Sequence, residues 1–166
     1  ISARNYFVYD TKTSSFLVAS DPQETKVFPA SVTKLMTALV ALEYLQPTEL
    51  ITAGREMEKV AWDSSVAGIK KGDTYSVGQL IEAMLLPSGN DAAYILAVEA
   101  ARAMEDSPEM DAVYAVDVFM QEMNKQAAAL GMTGTHFVNP DGIHDVSHYT
   151  TFADLAILGK LAMEDE

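Results

Sequence analysis

The 166-residue chain contains no cysteine, which excludes disulfides, thiolate metal sites and a cysteine nucleophile. It is also poor in basic residues, since 11 lysines and arginines face 24 acidic residues and the formal charge is −13. An acidic surface repels phosphate, so the composition argues against nucleic acid as a partner and against adsorption to anionic lipid. No apolar run approaches the length of a membrane span. The first ten residues also lack the basic and apolar pattern of a signal peptide.

What the sequence does contain is a large apolar fraction, 49% of its residues, arranged largely in helical repeats. The length fits one domain or a large piece of one. Apolar residues at helical spacing predict five helices, which cover residues 31–46, 77–86, 92–104 and 109–130 and a last segment beginning at 151. We expect Ser76 to cap the second helix with Gln79 as its capping-box partner, and Asn90 or Asp91 to cap the third.

Two short strands are predicted near the N-terminus. The segments "NYFVYD" and "FLVAS" flank the polar turn "TKTSS", which is typical of a β-hairpin. The sequence therefore predicts a mostly helical α+β fragment with one N-terminal hairpin. Because a lone hairpin is only marginally stable, we expect partner strands to lie elsewhere, such as beyond Glu166.

The first candidate site is the pair Ser31 and Lys34, at the start of the first predicted helix. Positions i and i+3 share one face of a helix, and a helix N-terminus stabilises negative charge. A serine hydroxyl needs a base to become a nucleophile, and a lysine amine serves once burial lowers its pKa. The apolar flanks of Lys34 favour such burial. The alternative is that Ser31 is only an N-cap and Lys34 only a solvated charge.

The second candidate site is the break "PSGND" between two apolar helices, which presents Ser88 and Asn90 on a loop held by packed elements. Ser88 is suited to relay a proton, and the Asn90 amide to donate to a substrate carbonyl and accept from an amine. Gly89 lets the backbone approach a ligand. The alternative is a plain helix break with Asn90 as an N-cap.

Together, Ser-x-x-Lys and Ser-x-Asn resemble the motifs of serine DD-peptidases and penicillin-binding proteins. Longer segments are similar to the D-alanyl-D-alanine carboxypeptidase family, the low-molecular-mass penicillin-binding proteins: "PASVTKLMTALVALE", "GIKKGDTYSVGQLIEAMLLPSGNDAAYILA" and "MNKQAAALGMTGTHFVNPDGIHDVSHYTTFADLAILGKLA". The likeness runs from about Tyr6 to Ala162. It implies the serine β-lactamase/DD-peptidase fold, with residues 1–166 forming part of its catalytic domain.

The resemblance also implies a role for each motif residue. Ser31 would be the acylated nucleophile, with its backbone N–H as half of an oxyanion hole, and Lys34 would be its general base. Ser88 would relay a proton, and Asn90 would position the substrate. The implied reaction releases the terminal D-alanine of a peptidoglycan stem peptide through a serine ester that water hydrolyses, without a metal or organic cofactor. β-Lactam antibiotics would acylate the same serine, and the implied location is extracytoplasmic.

One part of the family pattern is missing from the sequence. A third motif, Lys-Thr-Gly or a close variant, is expected on a later strand, whereas "KTS" at residues 12–14 lies in the hairpin turn. We therefore expect a chain truncated before the third motif and the later sheet strands, with poor hydrolytic activity or none. Its exposed sheet edge favours self-association, and membrane attachment would need an anchor outside this chain.

Two histidines, His144 and His148, have the spacing of a zinc pair on a helix. Pro140 and Gly142 disfavour a helix there, and no glutamate follows the first histidine as in a zinc peptidase. The family resemblance covers this loop without a metal. We therefore expect no metal site.

Three alternatives to a carboxypeptidase stay open at this point. A β-lactamase or a transpeptidase shares the implied fold, although "SGND" in place of the "SDN" of class A β-lactamases favours the carboxypeptidase. A non-catalytic protein that binds peptidoglycan would explain a third motif that is truly missing. A Lys-Thr-Gly after residue 166 would distinguish the enzymes from the binding protein.

Overall fold

The computed structural model describes residues 2–164, and helices form most of its ordered structure. Five α-helices alternate with short strands and loops along the chain. They are α1 Thr33–Tyr44, α2 Val77–Leu85, α3 Asn90–Met104, α4 Ala112–Ala129 and α5 Phe152–Glu164. None of these helices is long and apolar enough to cross a lipid bilayer.

The strands are short and form three separate antiparallel pairs among the described residues. The pairs are β1 Phe7–Asp10 with β2 Ser15–Ala19, β3 Lys26–Val27 with β6 Thr150–Thr151, and β4 Leu50–Thr52 with β5 Thr74–Ser76. The predicted N-terminal hairpin is therefore confirmed, but it is not the only sheet structure. The β3–β6 pair matters most for the site, because it joins the segment before α1 to the segment before α5.

Helix α3 lies at the centre of the core and packs against α1, α2 and α4. Alanines make up much of its sequence, and their small side chains let neighbouring helices approach closely. A helix that is apolar on every side has to be buried. Its fully buried residues include Ala92, Ala93, Ile95, Leu96 and Ala97. The N-terminus of this central helix carries the predicted Ser88–Asn90 site, so the site rests on a buried element that packs against three other helices.

Helix boundaries agree with the sequence analysis at some ends and not at others. The capping box of α2 is confirmed, with the Ser76 hydroxyl accepting from the Gln79 N–H and the Gln79 side chain accepting from the Ser76 N–H. The predicted cap of α3 is wrong, because Gly89 occupies the N-cap position and Asn90 is already helical. The first helix also starts later than predicted, since residues 30–32 form a 3-10 turn before α1.

The hairpin contacts the rest of the protein through aromatic packing. The Phe7 ring lies 5.1 Å from the ring of Phe152, the first residue of α5, and 5.5 Å from the ring of Phe16 in β2. Among residues 2–164, β1 and β2 pair only with each other. The expected further strands thus do not come from the described residues.

Candidate active site

Ser31 lies in a strained entry to α1. It is the middle residue of the 3-10 turn, and the preceding Ala30 has a φ of +47°, in the left-handed region that residues with a Cβ rarely adopt. The Val32 N–H donates to the Pro29 carbonyl at 3.2 Å and closes the turn. The turn leaves Ser31 exposed at the protein surface while Lys34 points inward. Strained backbone of this kind persists only where the surrounding structure holds it, and it clusters at functional sites.

Three of the four predicted site residues form one hydrogen-bonded cluster. The Ser88 hydroxyl donates to the Ser31 hydroxyl at 2.8 Å. The Lys34 amine donates to both of these hydroxyl oxygens, each at 3.3 Å. Ser31 and Ser88 are 57 residues apart in sequence, so only the fold brings them together.

Lys34 is buried, with 1% of its surface exposed, as its apolar flanks predict. Loss of water around the amine lowers its pKa, and the nearby Asp141 carboxyl only partly opposes this effect. Burial in turn raises the pKa of Asp141 itself, which weakens that opposition. No carboxylate among residues 2–164 forms an ion pair with Lys34. The neutral amine is therefore present at a lower pH than for a solvated lysine.

A backbone carbonyl completes the surroundings of the amine. The Lys34 amine donates to the Asp141 carbonyl oxygen at 2.7 Å, the shortest of its three contacts. A charged amine has three N–H donors, which match the carbonyl and the two hydroxyls. When the amine is neutral, its lone pair is available to accept a proton from a hydroxyl. The geometry thus suits a base that takes the Ser31 proton.

The loop of Ser88 is also strained. Ser88 has a φ of +62°. At Gly89 an added Cβ would lie 2.5 Å from the Ala83 carbonyl oxygen, so glycine is required there by close packing. The fourth predicted residue, Asn90, is buried in the first turn of α3, and its backbone N–H donates to the Ser65 carbonyl at 2.9 Å. Its side chain makes no hydrogen bond to the Ser31, Lys34 and Ser88 cluster.

Asp91 fixes the loop next to Ser88, a role that the sequence analysis missed. Its carboxylate is buried and accepts from the backbone N–H groups of Ala67, Gly68 and Ile69 at 2.9 to 3.0 Å. Several N–H donors compensate a buried carboxylate without a cation. Local sequence predicts only a helix cap at Asp91, and nothing in it indicates that the carboxylate reaches a loop more than 20 residues away.

The loop of residues 139–148 covers the other side of the cluster and was also missed as part of the site. The Thr37 hydroxyl donates to the Pro140 carbonyl at 2.7 Å, which places Asp141 over Lys34. Gly142, with a φ of +83°, lies against the strained turn, because an added Cβ would be 1.9 Å from the Ala30 carbonyl oxygen. A carbonyl acceptor has no signature in its own side chain, so sequence reasoning had no signal for it.

The two histidines of this loop have separate partners. His148 is buried, its Nδ1 accepts from the Val138 N–H at 3.2 Å, and its Nε2 lies 2.8 Å from the Thr33 hydroxyl. An accepting Nδ1 places the proton on Nε2, which then donates to Thr33. Burial lowers the pKa of His148 to about 4. The exposed His144 packs edge-on against Phe28, with ring centres 4.5 Å apart.

The chain matches one family along its whole length. Residues 1–166 match the family described as D-alanyl-D-alanine carboxypeptidase. The chain is 31% identical to D-alanyl-D-alanine carboxypeptidase DacC of Escherichia coli, over 99% of this chain and 40% of that protein. It is 32% identical to D-alanyl-D-alanine carboxypeptidase DacB2 of Mycobacterium tuberculosis, over 97% of this chain and 50% of that protein. The chain thus spans half or less of the length of these relatives.

Solved structures show the same likeness in the fold. A mutant of a Streptomyces DD-transpeptidase superposes with a TM-score of 0.87 at 31% identity, over 100% of this chain and 63% of that one. D-alanyl-D-alanine carboxypeptidase DacD from Francisella tularensis superposes with a TM-score of 0.80 at 29% identity, over 99% of this chain and 38% of that one.

Replacing Gly142 by alanine should destabilise the protein strongly. The new Cβ would overlap the Ala30 carbonyl, so the loop or the turn has to shift, and we expect a loss of roughly 3 kcal/mol in the free energy of unfolding. Gly72→Ala is the matched control, because Gly72 also has a positive φ, +93°, but open space around it. It should lose only about 1 kcal/mol from backbone strain. Equal losses in urea unfolding of the two variants would contradict the close contact.

Acid should destabilise the folded state through His148. The folded protein keeps this ring neutral down to about pH 4, whereas the unfolded chain protonates it near ~6.5. The unfolded state therefore binds more protons between these values, and acidification across this window should lower the free energy of unfolding by up to about 3 kcal/mol.

The matched variant for this effect is His148→Asn, which keeps an acceptor for Val138 and does not titrate. It should be less stable than the parent at pH 7, because it loses the bond to Thr33, but its stability should depend less on pH. Urea unfolding at several pH values between 4 and 7 gives the two slopes. Parallel slopes would show that His148 does not carry the acid sensitivity.

Proposed function

The chain belongs to the D-alanyl-D-alanine carboxypeptidase family, and from this we propose that it carries the acylation machinery of a serine carboxypeptidase acting on peptidoglycan stem peptides. The observation that carries the proposal is the hydrogen-bonded cluster of Ser31, Lys34 and Ser88 around a buried amine. The names of the relatives favour a peptidase over the β-lactamase and the non-catalytic alternatives.

In the proposed first step, Ser31 is acylated. The Lys34 amine takes the proton of the Ser31 hydroxyl, and the Ser31 oxygen attacks the carbonyl carbon of the penultimate D-alanine. The tetrahedral oxyanion is stabilised in part by the Ser31 backbone N–H. As the peptide bond breaks, the proton passes from Lys34 through Ser88 to the nitrogen of the leaving D-alanine. A serine ester and free D-alanine are the products.

In the proposed second step, water hydrolyses the ester and restores Ser31. The neutral Lys34 amine accepts a proton from the attacking water and returns one to the serine oxygen. Asn90 would hold the peptide backbone at the Ser88 side of the site. A β-lactam would acylate Ser31 through the same attack on an amide carbonyl, and its four-membered ring would open without releasing a separate amine. Such a reaction on peptidoglycan takes place outside the cytoplasm, and we propose that location for the protein.

Covalent labelling tests the choice of nucleophile. A fluorescent penicillin should label the full-length protein, and Ser31→Ala should abolish the labelling because no oxygen remains to form the ester. Ser15→Ala, at the exposed first residue of β2, is the control and should label like the parent. Labelling that survives Ser31→Ala would identify another nucleophile and overturn the assignment.

The pH dependence of acylation tests the base. The rate of penicillin acylation should rise with pH as Lys34 loses its proton, and it should level off below the ordinary lysine pKa of ~10.4, because burial lowers the pKa of the amine. Lys34→Ala should acylate roughly 100- to 10,000-fold more slowly and lose this rise. Lys125→Ala, at an exposed lysine paired with Glu122, is the matched control and should keep both the rate and the profile. An unchanged profile in Lys34→Ala would exclude the amine as the base.

A further inference from the structure

Trp62, the single tryptophan of the chain, is almost fully exposed. It lies in a turn in which the Ser64 N–H and hydroxyl both bind the Ala61 carbonyl, at 3.1 and 2.7 Å. The Trp62 side chain is 96% exposed, although tryptophan is among the residues that proteins bury most on average. An exposed indole on an ordered turn can stack on the apolar face of a ligand, and its N–H can donate a hydrogen bond.

The turn of Trp62 is tied to the proposed active site. The Ser65 hydroxyl donates to the Pro87 carbonyl at 2.8 Å, and the Ser65 carbonyl accepts from the Asn90 N–H at 2.9 Å. Trp62 precedes Ser65 by three residues, so it lies within about 10 Å of this contact along the chain. The Asp91 carboxylate fixes the segment that follows, residues 67–69. The segment that carries Trp62 is thus anchored beside Ser88–Asn90.

Two more apolar residues are exposed in the two segments that the Ser65 contacts join. Leu86, just before Pro87, is 83% exposed, and Val66, just after Ser65, is 49% exposed. We call Trp62, Val66 and Leu86 the apolar rim. The Ser65 contacts bring the two segments of this rim together. An apolar rim next to a reaction centre suits a part of the substrate that does not itself react.

The charge near the apolar rim favours the glycan of peptidoglycan over its stem peptide as the ligand of Trp62. Asp63 is exposed next to Trp62, and the whole chain carries a formal charge of −13. Beside Trp62, the Asp63 carboxylate repels the carboxylates of a stem peptide, which the proposed function places at Ser31 instead. The N-acetylated sugars of the glycan strand are neutral along most of their surface, have apolar C–H faces that stack on an indole, and have hydroxyls that can donate to a carboxylate.

From this chemistry we propose that Trp62 is a stacking platform for an N-acetylated sugar of the glycan strand that carries the stem peptide. This proposal rests on the proposed function, since it places the glycan beside the acylation site. It makes the enzyme selective for stem peptides that are attached to glycan over free peptides.

Tryptophan emission tests contact with the sugar directly. In the Ser31→Ala background, which prevents turnover, an N-acetylglucosaminyl–N-acetylmuramoyl pentapeptide should shift the emission to shorter wavelength and reduce quenching by acrylamide. The same pentapeptide without sugars should cause a much smaller change. In a Trp62→Phe variant of this background the sugar-dependent change should disappear. Equal changes with both ligands, or none with either, would overturn the proposal.

Kinetics in the full-length enzyme test selectivity. The ratio of kcat/KM for the disaccharide pentapeptide to kcat/KM for the free pentapeptide should fall roughly 2- to 10-fold in Trp62→Ala. Trp62→Phe should recover most of the ratio, since a smaller aromatic ring still stacks. Leu17→Ala, at a 63% exposed residue of the hairpin, is the control and should keep the parent ratio.

Penicillin labelling of the parent separates the two proposals. A parent that is not labelled would count against the proposed function, whatever Trp62 does. A parent that is labelled normally, combined with an unchanged ratio in Trp62→Ala, would overturn the platform and leave the acylation chemistry standing.

Discussion

The site depends on the burial of one amine without a matching negative charge. A charged lysine in a dry environment is costly unless it is paired, and Lys34 has no carboxylate partner among residues 2–164. The amine instead donates to three uncharged acceptors, which are two hydroxyls and the Asp141 carbonyl. This choice favours the neutral amine, and the neutral amine is the form that acts as a base. A carboxylate in the place of that carbonyl would hold the proton on Lys34 and prevent the same chemistry.

Such an arrangement has to be imposed by the rest of the fold, because the segments that form it are strained or buried. Ala30 and Ser88 both have a positive φ, and each is held by a neighbour that permits close contact: Gly142 against Ala30, and Gly89 against Ala83. Two further polar side chains support these segments without contacting Ser31 or Lys34 themselves. Asp91 holds the loop beside Ser88, and His148 links the other loop to the start of α1 through Thr33. Packing of the helices around α3 stabilises the fold enough to offset the cost of this backbone strain.

The helices and the candidate reacting residues could be predicted from the sequence more fully than the residues that hold them in place. Helical periodicity located all five helices, and the capping box at Ser76 fixed one boundary, because these signals are local. The Ser31 and Lys34 pair was found because its spacing is local too. The 3-10 turn at Ala30 was missed, since strain there is imposed by distant packing. The roles of Asp91 and Asp141 were missed for a related reason. Each depends on a bond between a side chain and a backbone group more than 20 residues apart in sequence, and backbone groups are the same in every sequence.

In the proposed carboxypeptidase reaction, the neutral state of Lys34 means that other residues have to bind the carboxylate of the substrate. An amine that has to be neutral to work cannot also pair with the terminal carboxylate of a substrate. In the part of the chain that the structure describes, the hydroxyls of Ser31 and Ser88 bond to each other and to Lys34, with no second cation in contact with them. The chain's formal charge of −13 also repels an approaching carboxylate at long range. Recognition of that carboxylate therefore requires a positive group close to Ser31. At such a short distance its attraction for the carboxylate exceeds the long-range repulsion by the acidic surface and is screened little by salt.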